Sequence, residues 1–243
     1  MTAPTSLVLF DVDMTLIYTG RAGANAFSQA WEAMGTGLTY PRHVDFVGRT
    51  DPAIVAEIAR TAGLGTVDES FLRAFETAYL ERLPLLLQAG EDAGGRVLPG
   101  VHELLRALDQ RGVRTALVTG NWIHGAWLKL QHYGLLDYFC LGAYGSDHGD
   151  RNRLPPLARL RAQRLWEEDF PPERVFVVGD SVRDVACARA NGYRAVAVAT
   201  GMHTAIDLKN AGAGVVIPNL LDTRALVEMF VPVQEGGTRG RTF

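Results

Sequence analysis

The chain has 243 residues, 47% of them hydrophobic, which is enough to bury a sizeable core and excludes a disordered polypeptide. Its 24 basic and 27 acidic residues leave a formal net charge of −3, so no general attraction draws it to nucleic acid or an anionic membrane. Two cysteines, Cys140 and Cys187, are too few for a disulfide framework and read as core or near-core thiols in a reducing compartment.

The first apolar run is LVLF from Leu7, preceded by six residues without a basic one. It is too short for a signal peptide or a membrane span, so a soluble, cytoplasmic protein is expected. Similar runs follow: TALV from Thr115, VFVV from Val175, AVAV from Ala195 and VVI from Val215. None shows polar alternation, as befits parallel strands covered on both faces. Helical patterns lie between them. Residues 101–110 place Leu104, Leu105 and Leu108 on one face, with Gly112 just beyond. Residues 122–133 stop at Gly134, a third helix starts near Pro155 and Pro156, and 182–190 ends at Asn191-Gly192. Strands alternating with helices predict an α/β fold with a Rossmann-like parallel sheet.

Residues 17–95 break that alternation and read as helices only: 22–34, 52–62 and 70–87, the last with a break expected at Pro84. Asp51-Pro52 is a good helix start and Gly63 a good stop. The expected organisation is a core of residues 1–16 and 96–243 with an inserted helical cap, 17–95. EDAGG from Glu91 serves as the return to the core, and 234–243, without a packing pattern, is a flexible tail.

In an open α/β sheet, ligands sit beyond the carboxyl ends of the strands. Asp11-Val12-Asp13-Met14-Thr15 follows the first strand and Thr119-Gly120-Asn121 the second. VFVV leads into Gly179-Asp180-Ser181, with Asp184 four residues after Asp180. Each segment alone is an ordinary turn or helix cap. Together they bring carboxylates to one edge, where they repel unless a cation joins them, and all-oxygen ligands suit Mg²⁺.

DVDMT, the TGN turn and GDSVRD resemble motifs one, two and four of the haloacid dehalogenase superfamily, in its phosphoglycolate phosphatase-like branch. The insert directly after motif one resembles that family's helical cap class. The resemblance implies that Asp11 is a nucleophile forming an aspartyl-phosphate. It makes Asp13 the general acid and base, an aspartate that the phosphate-ester enzymes keep and the dehalogenases and phosphonatases do not. It also implies Mg²⁺ held by the Asp11 carboxylate, the Asp13 backbone carbonyl and Asp180, with Asp184 ligating directly or through water. Thr119, Gly120 and Asn121 would grip phosphoryl oxygens.

Motif three departs from the family pattern of a lysine followed by Pro-x-Pro. RNRLPPLARL aligns best on Arg153, with Arg151 the alternative. The chain's two lysines, Lys129 and Lys209, fall outside the matching region. Met14 stands where the family often has glycine. FVGRTD from Phe46 resembles the cap loop that faces the aspartates, so Arg49 is a candidate for a second anionic group of the substrate, and Arg21 another. Trp122 and His124 either line the site or cover a helix surface.

The resulting expectation is Mg²⁺-dependent hydrolysis of a small phosphorylated metabolite by a monomer or homodimer, with no nucleic-acid or membrane partner. A sugar-phosphate mutase of the same superfamily and a non-catalytic ligand-binding relative are the alternatives. Loss of either motif-one aspartate would favour the last, and both are present.

Overall fold

A computed structural model describes residues 5–231, so the tail expected at 234–243 lies outside the described residues. In chain order the elements are β1 (Leu7–Phe10), β2 (Ile17–Tyr18), α1 (Ala22–Ala33), α2 (Asp51–Ala62), α3 (Glu69–Asp92) and β3 (Arg96–Val97). Then come α4 (Val101–Gln110), β4 (Arg114–Val118), α5 (Ile123–His132), β5 (Gly142–Ala143), α6 (Leu154–Trp166) and β6 (Val175–Gly179). The chain continues with α7 (Val182–Ala190), β7 (Arg194–Val198), α8 (Ala205–Asn210), β8 (Val215–Ile217) and α9 (Thr223–Phe230).

Six strands form one parallel sheet in the order β5-β4-β1-β6-β7-β8, a Rossmann-like α/β core. Successive strand residues face opposite sides, and both sides are covered, which is why these runs lack polar alternation. Leu7, Leu9 and Val177 pack against Leu154, Ala158 and Val185 of α6 and α7. Val8, Phe10 and Val178 pack against Leu104 of α4, Leu130 of α5 and Phe230 of α9. Chain direction across the sheet reverses beside β1, placing a crevice at the ends of β1, β4 and β6.

The chain leaves and re-enters this core through β2 and β3, which pair antiparallel, Ile17 opposite Val97 and Tyr18 opposite Arg96. Between them α1, α2 and α3 bury their own apolar cluster, including Phe27, Trp31, Ile58, Phe75 and Tyr79. Trp122 of the core joins that cluster, stacked on Phe27 with ring centroids 5.8 Å apart. His124, the other residue in question there, is largely exposed.

One expectation is corrected here. The break at Pro84 does not occur, and α3 runs through it to Asp92. Pro84 lies on the exposed face, where water can solvate the carbonyl it leaves unpaired. The buried stripe Phe75, Tyr79, Leu83 and Leu87 continues past it and holds the helix together. Of the two thiols, Cys187 is buried and Cys140 exposed.

Candidate active site

Asp11 extends the line of β1 by one residue, its N–H bonded to the Val178 carbonyl at 2.9 Å. A tight turn follows, with the Leu16 N–H on the Val12 carbonyl and the Met14 N–H on the Ile17 carbonyl. Met14 is driven to a φ of 60°, a left-handed conformation that glycine takes freely and other residues take at roughly 1–2 kcal/mol. This explains why a glycine is at home in that position.

Asp11, Asp180 and Asp184 are buried and each offers an oxygen within 4.8 Å of the other two. Burial, with repulsion from the neighbouring carboxylates, pushes Asp11 up to about 7 against the pull of Arg151. Burial and the same repulsion push Asp180 up to about 9. Gly201 makes room for Asp180, since a Cβ there would lie 1.7 Å from its Oδ2. Asp184 is already engaged: Oδ2 accepts the Ser181 N–H at 3.0 Å and its hydroxyl at 2.6 Å, closing the capping box of α7. Its Oδ1 accepts Arg151 Nη2 at 2.5 Å.

Arg151 is the cation of this cluster. It is 8% exposed, and the same Nη2 donates to Asp11 Oδ1 at 2.8 Å. Burial disfavours its charge, but Asp184 and Asp11 outweigh that and hold it firmly protonated. Of the two arginines considered for motif three, the structure therefore brings Arg151, the alternative, to the aspartates and not Arg153. Arg153 is exposed and makes no side-chain hydrogen bond among the described residues. A 3₁₀ turn, Arg151–Arg153, precedes α6, and at three residues per turn two positions apart cannot share a face.

At the end of β4, the fully buried Thr119 accepts Asn121 Nδ2 on Oγ1 at 2.7 Å. The cap loop passes directly over the next residue, and a Cβ on Gly120 would lie 1.9 Å from the Arg49 carbonyl oxygen. Asp51, at the start of α2, ties that helix to the turn after β4. Its N–H donates to the Gly120 carbonyl at 2.7 Å, and its carboxylate accepts the Trp122 N–H at 2.8 Å. Burial pushes Asp51 up to about 7, with Lys129 opposing.

Lys129, outside the motif-three region as expected, is nonetheless brought to the site, on Asp13 rather than Asp11. It is 4% exposed, and its Nζ donates to Asp13 Oδ2 at 2.7 Å and to Asn121 Oδ1 at 2.6 Å. Asn121 Nδ2 donates to the same Asp13 oxygen at 2.8 Å. Asp13 thus stands apart from the three buried carboxylates. The overlooked signal was periodicity: Lys129 continues the buried stripe of α5 formed with Gly125, Ala126 and Leu130.

A cavity of about 240 Å³ between cap and core joins these groups. Asp11, Asp13, Thr119 and Arg151 line it from the core, and Arg21 and Arg49 from the cap. Among the described residues Arg49 Nη2 donates only to the Ala53 carbonyl, at 3.3 Å.

Residues 5–192 match the family of haloacid dehalogenase-like hydrolases. The chain belongs to that family. Among its relatives, the phosphoglycolate phosphatase of Nitrosococcus oceani is 24% identical over 222 residues, covering 91% of this chain and 96% of the relative. The tyrosine-protein kinase PtkA of Mycobacterium tuberculosis is 30% identical over 196 residues, covering 80% of this chain and 62% of that one. The crystal structure of CbbY from Rhodobacter sphaeroides in complex with phosphate superposes with a TM-score of 0.70 at 22% identity, covering 90% of this chain and 96% of that one. That likeness establishes the fold of this haloacid dehalogenase-like hydrolase. Among the described residues no helix is long and apolar enough to cross a membrane.

Proposed function

We propose that the protein is a Mg²⁺-dependent phosphatase of small phosphorylated metabolites, phosphoglycolate phosphatase-like, that works through an aspartyl-phosphate on Asp11. The observation that carries this reading is the pair of motif-one aspartates lining one cavity, each against its own buried cation, Arg151 on Asp11 and Lys129 on Asp13. Relatives named phosphoglycolate phosphatase, matched along nearly their whole length, support it.

In this mechanism an Asp11 oxygen attacks phosphorus while Arg151 fixes the carboxylate and offsets charge gathering on the phosphoryl group. Thr119 and the backbone N–H groups of its turn hold phosphoryl oxygens. Asp13 gives a proton to the leaving oxygen and later takes one from the water that opens the aspartyl-phosphate.

The buried carboxylates fit a hard divalent cation, because the donors are all oxygen and burial disfavours their charge unless a cation compensates it. Asp11 and Asp180, with Asp184 and the Asp13 backbone carbonyl, would hold it. Mg²⁺ bound there would neutralise charge so that a carboxylate and a phosphoryl dianion can approach each other.

The direct test is phosphate release from p-nitrophenyl phosphate and 2-phosphoglycolate, with Mg²⁺ or with EDTA. Release only with Mg²⁺ is expected; silence with Mg²⁺ across a panel of phosphomonoesters would sink the proposal. Stability gives a second readout. Asp11 and Asp180 bind protons more tightly folded than unfolded, so the metal-free fold loses stability as pH rises from about 4 toward 9. Mg²⁺ takes the place of those protons, so it should raise Tm more at pH 8 than at pH 6. An equal rise at both values would argue against binding at these carboxylates.

Arg49 reads the leaving group in this proposal. Arg49→Ala should raise KM for 2-phosphoglycolate by roughly 10- to 100-fold, as for a lost charge-assisted hydrogen bond of about 1.5–3 kcal/mol. The change for p-nitrophenyl phosphate should be much smaller. Equal effects on the two esters would rule out that role.

A further inference from the structure

Lys129 is one of two lysines in a chain with 22 arginines, and it is buried where water cannot solvate it. An interior ammonium is costly unless it is paired and hydrogen-bonded. Burial by itself would lower its proton affinity, yet the facing groups Asp13, Tyr79 and Asp51 keep it firmly charged. Its two hydrogen bonds go to Asp13 Oδ2 and Asn121 Oδ1, and Asn121 closes a triangle by donating to Asp13 Oδ2. Both bonds to the Asp13 carboxylate fall on Oδ2, and none among the described residues falls on Oδ1. Asn121 also reaches Thr119 Oγ1, so one hydrogen-bonded chain joins Asp13 to the end of β4.

We propose that Lys129 is a positioning residue for Asp13: with Asn121 it locks Oδ2 and leaves Oδ1 as the oxygen that serves the leaving group. This rests on the phosphatase reading above. As the bond from an Asp11 oxygen to phosphorus forms, the bond from phosphorus to the leaving oxygen breaks, and that oxygen takes the proton from Asp13 Oδ1. The carboxylate left on Asp13 then stands against a fixed positive charge that offsets it. In the second half, water oxygen bonds phosphorus, its proton goes to Asp13 Oδ1, and the Asp11 carboxylate departs with the bonding electrons. Lys129 keeps its protons throughout. Arg151 performs the corresponding service for Asp11, so the two aspartates do not share one cation.

Leaving-group dependence separates this role from mere packing. p-Nitrophenolate departs without a proton, whereas phenolate needs one much more. Lys129→Met should lower kcat for phenyl phosphate on the order of 10²-fold, the lower end of what general-acid assistance supplies. For p-nitrophenyl phosphate the loss should stay below roughly tenfold, with both KM values changed only a few-fold. The ratio of the two rates does not depend on how much protein folds. Lys129→Gln, without charge but still a donor, should move that ratio in the same direction and covers poor packing of methionine. In an Asp13→Asn background, Lys129→Met should add little further loss. An unchanged ratio in both Lys129 variants, in a wild type that hydrolyses both esters, overturns the role of Lys129 alone. A wild type that releases phosphate from neither ester overturns the phosphatase reading and this role with it.

Discussion

Asparagine in place of Asp11 should abolish turnover while leaving the fold intact. The amide keeps the shape of the side chain but lacks the anionic oxygen that would bond phosphorus, so no aspartyl-phosphate can form. Loss of a nucleophile that works as part of a unit costs on the order of 10⁵–10⁶ in kcat. Stability should change little, because two effects oppose each other. Arg151 loses one carboxylate partner but keeps Asp184 at 2.5 Å, and a buried charge that repelled Asp180 and Asp184 is removed. Steady-state kcat beside a thermal melt checks both halves. Near-normal turnover by a folded Asp11→Asn enzyme would exclude nucleophilic catalysis by that residue.

Arg151→Ala should be the next most damaging change, and it should damage rate and stability together. Its guanidinium is the buried counter-charge of both Asp11 and Asp184. Removing one partner of such an array leaves uncompensated charge in the interior and costs about 3–5 kcal/mol of stability. Transition-state stabilisation should fall by about 2.7–4 kcal/mol, or 10²–10³ in kcat, as for a lost preorganised donor. Arg151→Lys should restore part of the rate, since an ammonium supplies some of the field but sits on a shorter side chain without the fixed geometry of the guanidinium. Arg153→Ala, at an exposed position two residues on, should behave as wild type. A crippled Arg153→Ala beside a healthy Arg151→Ala would overturn the geometry around α6.

The core was legible because its signals are local and redundant. LVLF, VFVV and VVI are continuous apolar runs, each followed by a turn or helix start, and they recur as β1, β6 and β8. β5 is two residues long, too short for any periodicity to register. That Asp11, Thr119 and Asp180 meet at one cavity was legible because a strand end is itself a local feature. Arg151 and Lys129 could not be placed that way. Arg151 depends on the phase of a 3₁₀ turn that no residue type announces, and the Pro155-Pro156 landmark sits in α6 beyond it. Lys129 depends on α5 lying beside the turn after β1, a contact between residues 116 positions apart. Asp51 was legible as a helix start, but its hold on Trp122 N–H appears only when cap and core are brought together.

The central place of β1 in the sheet has a consequence for biosynthesis. Leu7 pairs with Arg114 on one side and Val175 on the other, so the strand that carries Asp11 must wait for partners far along the chain. Contacts this distant are slow to form, and until they do LVLF has two open edges, a hazard for a growing chain. The helices between residues 22 and 92 contact one another at shorter range and can assemble while the rest is still being translated. A nascent chain ending before Val175 therefore has these helices but lacks half of the framework around Asp11. Until β6 is in place, the Asp11 N–H lacks the Val178 carbonyl that holds it in line with β1.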